Sequence, residues 1–204
     1  MNFKKLQAMQ AKLDEAILAD KAPMTAEERF NKTLVALSVE IAEVANTVEH
    51  FKFWKDNKGK IDRKRFSVIH IFQEEELVDV EYMEDNTGVQ YADWEAHRLT
   101  LIEECSDALH FILSFANQLD FEINGIGTCF EIAEDTDSLE KNFLVLNYLI
   151  GSAEFKRFHP DLAMIIIIDV FFSYINQLGI SEQELEQAYY DKNKINYERL
   201  ENGY

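Results

Sequence analysis

The stretch LVALSVEIAEVANTVEHF, residues 34 to 51, decides the fold class. Its apolar residues recur in near-heptad order, which predicts a long helix with one face in the core; the stripe comprises Phe30, Leu34, Leu37, Ile41, Val44, Val48 and Phe51. Thr25 and Glu28 stand upstream in the pattern of a capping box, which marks the start of this helix. Glu40 and Glu43 fall roughly 60 to 120 degrees to one side of the stripe. They are therefore expected at the boundary between core and solvent.

A second acidic pair, Glu104 and Asp107, lies in another helix, predicted near residues 94 to 119. Carboxylates three residues apart share one helix flank, so each pair can aim two carboxylates at the same point. Phe111 shares the flank of Glu104 and Asp107, and a purely solvated flank would not favour an aromatic ring there. Either pair alone is also typical of a solvated helix surface. The two pairs together predict a metal site. The apolar stripe of this helix is Leu101, Cys105, Ala108, Ile112 and Ala116.

The remaining chain predicts an all-α bundle of about five to seven helices. Residues 2–20 form an amphipathic first helix, and Ser181 with Glu184 begins the last one with a second capping box. Residues 143–150 and 162–178 are apolar nearly all round, which is typical of helices in a bundle or at a subunit interface. The four consecutive isoleucines could also form a strand, but the apolar run continues to Gly179 and favours a helix.

The segment from about residue 57 to residue 97 has a different pattern. Runs of β-type residues flank Asp85-Asn-Thr-Gly88, a turn sequence, so an inserted β-ribbon or irregular arm is expected here. Residues 131–140 are expected to form an acidic, exposed connector. The chain as a whole, residues 1–204, is interpreted as a single domain with this insertion.

The composition limits the classes of partner. With 38 acidic and 20 basic residues the net charge is −18, which argues against a nucleic-acid partner. There is no signal-like N-terminal stretch, and the longest aliphatic run, residues 163–168, is too short to span a membrane. A cytoplasmic, soluble protein with no membrane partner is expected. Cys105 and Cys129 lack metal-ligand spacing and are expected to be reduced thiols.

Three further features allow two interpretations each. Lys192, Asn196 and Arg199 project from one helical face and are either a phosphate-binding surface or part of a frayed, solvated terminus. Gln10 is either a solvated residue at the edge of the first helix's stripe or an amide that binds a ligand. The Phe51-Lys-Phe-Trp-Lys55 cluster, with Trp54, either lines a base pocket or belongs to the core.

Taken together, these motifs resemble the all-α dimeric dUTPases, part of the MazG-like all-α NTP pyrophosphatase superfamily. The two acidic pairs match the family's paired metal motifs, the second continuing as Asp107-Ala-Leu-His-Phe111. The C-terminal pattern Lys192-Asn-x-x-Asn196-x-x-Arg199, closing on Gly203-Tyr204, resembles the family's phosphate-binding signature. Each motif is common by itself, but their order and joint presence are specific.

The resemblance implies a role for each matching residue. Phe111 would lie against the deoxyribose, and Asp107 would also face the sugar 3'-hydroxyl. Gln10 would bind the uracil edge. Asp14 stands where an asparagine is expected, which leaves the choice of base open. The remaining substrate-binding positions are Trp54, Lys192, Asn196, Arg199 and Tyr204, and the insertion accounts for the roughly 60 residues that separate the acidic pairs.

The expected activity is hydrolysis of dUTP to dUMP and pyrophosphate by a homodimer. The predicted metal site has only hard oxygen ligands, which suit Mg2+ first and Mn2+ second; they come from Glu40, Glu43, Glu104 and Asp107. Glu43, beside Glu40, is the hypothetical base that deprotonates the water attacking the α-phosphorus.

Three alternatives remain open at this point. A pyrophosphatase for dCTP or other nucleotides would share the metal site. A di-iron carboxylate protein would need two Glu-x-x-His motifs, whereas this chain has only Asp107-x-x-His110. A non-enzymatic adaptor or inhibitor-binding protein would use the arm as its contact surface.

Overall fold

The computed structural model describes residues 1–73, 78–124, 138–154 and 159–203. Within these residues the chain is mainly helical, with six helices and one small antiparallel sheet, as the sequence predicts. The elements in chain order are α1 (Phe3–Ala19), α2 (Ala26–Val48), β1 (Phe66–Gln73), β2 (Val78–Asp85), β3 (Gln90–Tyr91), α3 (Asp93–Gln118), α4 (Leu139–Glu154), α5 (Pro160–Gln177) and α6 (Glu182–Glu201).

Side-chain caps fix where two of the helices begin. Thr25 Oγ1 accepts a hydrogen bond from the Glu28 amide at 3.1 Å, and Glu28 Oε2 accepts one from the Thr25 amide at 2.8 Å. Ser181 and Glu184 make the same reciprocal pair at the start of α6. Each cap contributes about 1 kcal/mol, enough to set a boundary although not to form a helix alone. Both predicted capping boxes are confirmed.

Helix α3 lies at the centre of the fold and packs against α1, α2, α5 and α6, while α4 packs on α2 and α5. The isoleucine-rich segment is the helix α5, and Gly179 follows it with φ +73°. Ile167 and Phe171 of α5 are fully buried in the core. Most apolar side chains of α5 are therefore buried within the chain itself.

The inserted arm is a three-stranded antiparallel sheet in the order β1-β2-β3. Phe66 pairs with Asp85 at the open end of the β1-β2 ribbon, and Met83 pairs with Tyr91 of β3. Phe66, Met83 and Ala96 of α3 form a small separate core. The β-ribbon is thus the correct alternative for this segment, and its root is packed on the first turn of α3.

The loop after α2 is organised around the Glu49 carboxylate. Glu49 ends the helix in the left-handed conformation, φ 57°, and its side chain is only 2% exposed. It accepts hydrogen bonds from Lys52 Nζ at 2.6 Å, from Lys55 Nζ, and from the Gly59 amide at 3.1 Å. These partners, Lys52 first, lower the pKa of Glu49 to about 2.

Replacing Glu49 by Gln is expected to lower the Tm at pH 7 by several degrees, because two ammonium groups lose their shared counter-charge. A lowered carboxyl pKa stabilises the folded state above the ordinary value of 4.5. That contribution disappears as the pH falls from about 4.5 to about 2, so the wild-type and variant Tm values should converge there. Thermal unfolding from pH 7 to pH 2 measures this, with Asp56→Asn in the same loop as control. A constant Tm difference over this range would contradict the assignment.

Some sequence-based expectations concern residues outside the described ranges, namely most of the 131–140 connector, Cys129 and Tyr204. Cys105 is a buried free thiol. Among the described helices, none is by itself long and apolar enough to cross a membrane. One pair of consecutive helices, Asp161–Gln177 and Glu182–Glu201, has the required length and composition when taken together, but the two are bent by 106° relative to each other.

Candidate active site

Three carboxylates from two neighbouring helices converge at the α2–α3 contact. Glu40 comes from α2, and Glu104 and Asp107 come from one turn of α3. One oxygen atom of each lies within 4.8 Å of the corresponding atoms of the other two. All three side chains are half-buried. The helices therefore do bring residues of the two acidic pairs together, even though the arm separates them in sequence.

Glu43 lies outside this group of three, which corrects the expectation of four converging carboxylates. Its side chain is exposed, and its Oε2 accepts a hydrogen bond from Asn46 Nδ2 at 3.3 Å. It leans along α2 toward the next turn instead of across to α3. Its charge is nevertheless near enough to contribute to the raised pKa values of Glu40 and Glu104.

The carboxylate group carries more negative charge than its surroundings balance. Burial, and then the neighbouring Asp107, raise the pKa of Glu40 to about 7. The same two causes raise the pKa of Glu104 to about 7. Burial also raises the pKa of Asp107. Hard oxygen donors at this spacing, half-buried and mutually repelling, fit a hard divalent cation such as Mg2+ or Mn2+.

Lys192 of α6 supplies a counter-charge on one side of the group. Its Nζ donates to Asp107 Oδ2 at 2.7 Å and to Glu103 Oε1 at 3.0 Å, and its side chain is 10% exposed. Burial opposes the charge on Lys192, but Asp107 and Glu103 outweigh it and raise the pKa of the amine. Lys192 thus reaches the carboxylates from the C-terminal helix, which extends to Glu201 and is not frayed at these positions. Asn196 is half-buried and Arg199 is exposed.

Glu103 is a site residue that the sequence analysis missed. Although burial works in the opposite direction, Lys192 and Arg65 lower its pKa, so it remains ionised. Arg65 Nη1, from the root of the arm, donates to Glu103 Oε2 at 3.1 Å. In the sequence, only its position directly before Glu104 indicates a role for Glu103, because its partners Arg65 and Lys192 are far away along the chain.

A cleft of about 750 Å³ opens beside Lys192, between the arm, α3 and α6. Its lining carries charges of both signs: the basic side chains of Lys64, Arg65, Lys192 and Arg199, and the acidic side chains of Asp62, Asp85, Glu103, Glu184 and Asp191. The charge on Arg199 also lowers the pKa of Asp107, in opposition to burial, which raises it. The lining therefore has no excess of positive charge, and an anionic ligand would bind here by pairing with individual cations such as Arg65 and Arg199.

Gln10 is buried between α1, α3 and α6, so the expectation of a solvated stripe edge is wrong. Its Oε1 accepts hydrogen bonds from His110 Nδ1 at 2.7 Å and Tyr189 Oη at 3.1 Å. Its Nε2 donates to Asp14 Oδ1 at 2.8 Å. Both ends of the amide are therefore engaged inside the protein. His110 uses Nδ1 for its contact with Gln10. Within the described residues the clustered metal-ligand candidates are all carboxylates, whereas the di-iron alternative would need histidines as well.

Asp14 is held by partners on other helices. Its Oδ2 accepts hydrogen bonds from Arg29 Nη2 at 3.0 Å and Ser114 Oγ at 2.7 Å. An asparagine at this position would lose the ion pair with Arg29. The Asp14 carboxylate is thus a junction of α1, α2 and α3.

The other predicted substrate residues have varied environments. Phe111 is half-buried and packs against the main core. Trp54 is 66% exposed and contacts the rings of Phe53 and Phe51, so it is not a core residue. Asn196 is half-buried on α6. Their contacts with a substrate stay predictions.

Comparison with known proteins agrees with this geometry. A search of curated proteins finds no match. A family model described as dUTPase matches residues 2–92 and residues 92–204. These two matches include both acidic helices, the basic face of α6 and Gln10. The chain belongs to the dUTPase family.

Proposed function

We propose that this protein is a dUTP diphosphatase that hydrolyses dUTP to dUMP and pyrophosphate. The observation that carries the proposal is the group formed by Glu40, Glu104 and Asp107, with Lys192 beside it and a cleft next to Lys192. Carboxylates that can hold a cation, next to a cleft lined by Lys192 and Arg199, suit a substrate that arrives as a metal-bound triphosphate. Family membership supports the same chemistry.

Glu40, Glu104 and Asp107 are the residues that would hold Mg2+, with Mn2+ as the alternative. When bound, the cation supplies charge neutralisation for the phosphates and a lowered pKa for a coordinated water.

Glu43 is proposed as the general base. It lies one turn from Glu40 but outside the clustered carboxylates, so its oxygens are available to accept a proton. Asn46 orients it: Lys60 Nζ donates to Asn46 Oδ1 at 2.5 Å, which turns the amide nitrogen toward Glu43 Oε2. Glu43 accepts the proton as the water oxygen bonds to the α-phosphorus.

The basic residues act on the leaving group. As the bond from the α-phosphorus to the bridging oxygen breaks, negative charge grows on the departing pyrophosphate. Lys192 and Arg199 line the cleft and are proposed to stabilise this charge, with Asn196 and Tyr204 as further phosphate ligands. Asp107 and Phe111 are proposed to position the deoxyribose.

Replacing Arg199 by Ala is expected to raise the KM for dUTP and lower kcat, because the lost cation acts on both bound substrate and leaving group. The combined loss in kcat/KM should be about 10²-fold. Steady-state kinetics measures it, with Lys194→Ala, an exposed position of the same helix, as control. Unchanged kinetics in Arg199→Ala would refute the phosphate-binding role.

The choice of base is the least constrained part of the proposal. The engaged Gln10 amide and the Asp14–Arg29 pair favour a second candidate, a pyrophosphatase for dCTP or another nucleotide of the same superfamily. Pyrophosphate release from dUTP, dCTP, dTTP and UTP, with and without Mg2+, tests the proposal. The expected result is Mg2+-dependent release that is fastest from dUTP. Faster release from dCTP would favour the second candidate, and no release from any of them would favour a non-enzymatic protein.

We also propose that the single-domain chain acts as a cytoplasmic homodimer without nucleic-acid or membrane partners. Exposed apolar side chains on α2 and α4 support a paired surface: Val35, Val39, Leu144 and Tyr148 are 50% to 65% exposed. Ser38 and Asn147 join these two helices by a 2.9 Å hydrogen bond, so the four side chains lie on adjacent helices.

A further inference from the structure

Arg65 belongs to the inserted arm but faces the bundle. It directly precedes β1, and its side chain is 34% exposed. Its guanidinium carbon lies 4.8 Å from the centroid of the buried Phe66 ring. The backbone around it is fixed, because the Phe66 amide bonds to the Asp62 carbonyl at 2.9 Å and the Asp62 amide to Thr100 Oγ1 at 3.1 Å. The segment that carries Arg65 is therefore joined to α3 by the Asp62–Thr100 hydrogen bond.

Arg65 is connected to the carboxylate group through alternating charges. Lys192 Nζ lies between Asp107 and Glu103, and Glu103 in turn lies between Lys192 and Arg65. The series of contacts therefore runs from Asp107 to Lys192, then to Glu103, and then to Arg65. A triphosphate whose α-phosphate lies near Asp107, and whose chain follows the cleft, would bring its distal phosphates to Arg65.

Arg65 also has donors to spare for such a ligand. A guanidinium carries five N–H donors in a planar fork, which suits phosphate oxygens. Among the residues that the structure describes, Arg65 donates to Glu103 through Nη1. Arg65 lines the same cleft as Arg199, one coming from the arm and the other from α6. Two arginines that line one cleft can each pair with phosphate oxygens of the same polyphosphate.

We propose that Arg65 binds the distal phosphates of the substrate, so that the inserted arm forms one wall of the triphosphate site, and that Glu103 positions Arg65 and Lys192 side by side. The inference rests on the proposed function and gives the arm a role in it. Arg65 is a binding residue, and Glu103 acts through its two cationic partners.

The test compares nucleotides that do and do not carry distal phosphates. Calorimetry would measure the Kd of a non-hydrolysable α,β-imido analogue of dUTP and the Kd of dUMP, both with Mg2+. Arg65→Ala is expected to weaken the analogue about 10-fold or more, since charge-assisted hydrogen bonds are lost. The Kd of dUMP should stay within about twofold. Arg65→Lys should recover part of the loss.

Arg63→Ala is the matched control, because it removes the same charge from the same loop. Arg63 is exposed, and its Nη1 donates to Met83 Sδ at 3.4 Å instead of lining the cleft. It should leave both Kd values unchanged. Circular dichroism on each variant separates loss of fold from loss of binding, and Arg65→Lys serves if Arg65→Ala does not fold.

The titrations distinguish failure of the proposed Arg65 role from failure of the proposed dUTP hydrolysis. Equal analogue Kd values for wild type and Arg65→Ala would overturn the role of Arg65, and so would an equal weakening of dUMP and analogue. If the wild type hydrolyses no nucleotide, the proposed function fails, and inorganic tripolyphosphate then replaces the analogue in the same titrations. Weaker tripolyphosphate binding by Arg65→Ala would still support the arm as a polyphosphate-binding wall.

Discussion

Replacing Glu104 by Gln is expected to lower kcat for dUTP by about 10³-fold and to weaken Mn2+ binding strongly. Gln keeps the shape of the side chain but removes one of the three converging negative charges. The metal-free variant should be at least as thermally stable as the wild type, because a mutually repelling carboxylate has been neutralised. Kinetics, Mn2+ calorimetry and Tm with a chelator present measure the three effects.

The control for Glu104→Gln is Glu15→Gln, an exposed position on α1. That variant should match the wild type in kcat and in Mn2+ affinity. Wild-type Mn2+ affinity in Glu104→Gln would contradict the assignment of this residue as a ligand. A large fall in Tm would instead show that Glu104 is needed for the fold.

Replacing Glu43 by Gln is expected to lower kcat by about 10²- to 10⁴-fold while Mn2+ affinity stays near the wild-type value. The reason is geometric: Glu43 lies outside the carboxylate group, so removing its charge removes a proton acceptor and not a ligand. Single-turnover rates and Mn2+ calorimetry separate these roles.

Two outcomes would contradict the role of Glu43 as base. Near-wild-type turnover in Glu43→Gln would exclude it. Loss of Mn2+ affinity equal to that of Glu104→Gln would make Glu43 a fourth ligand, as the sequence alone suggested. Asn46→Ala tests the orienting contact independently and should lower kcat less than Glu43→Gln does.

The helices could be predicted because their signals are local. The apolar stripe of α2, the two capping boxes and Gly179 after α5 each act within a few residues of the boundary that they set. The two acidic pairs could be located for the same reason, since three-residue spacing on a helix fixes a shared flank. Only the packing of α2 on α3 decides whether those flanks meet.

The contacts of individual polar side chains could not be predicted in this way. Gln10 lies at a position where periodicity allows either water or burial, and the deciding partners, His110 and Tyr189, lie on other helices. Glu103 is about 40 residues from Arg65 and about 90 from Lys192. Glu43 lies on the same flank of α2 as Glu40, yet its side chain accepts a hydrogen bond from Asn46 on its own helix. Such choices depend on tertiary packing.

Hydrolysis of dUTP in ¹⁸O-labelled water with Mg2+ tests the central claim most directly. If the water activated beside Glu40, Glu104 and Asp107 attacks the α-phosphorus, phosphorus NMR should show dUMP and pyrophosphate in equal amounts, with the label in dUMP. Label in pyrophosphate, release of orthophosphate from the terminal phosphate, or no hydrolysis by the folded protein would contradict it.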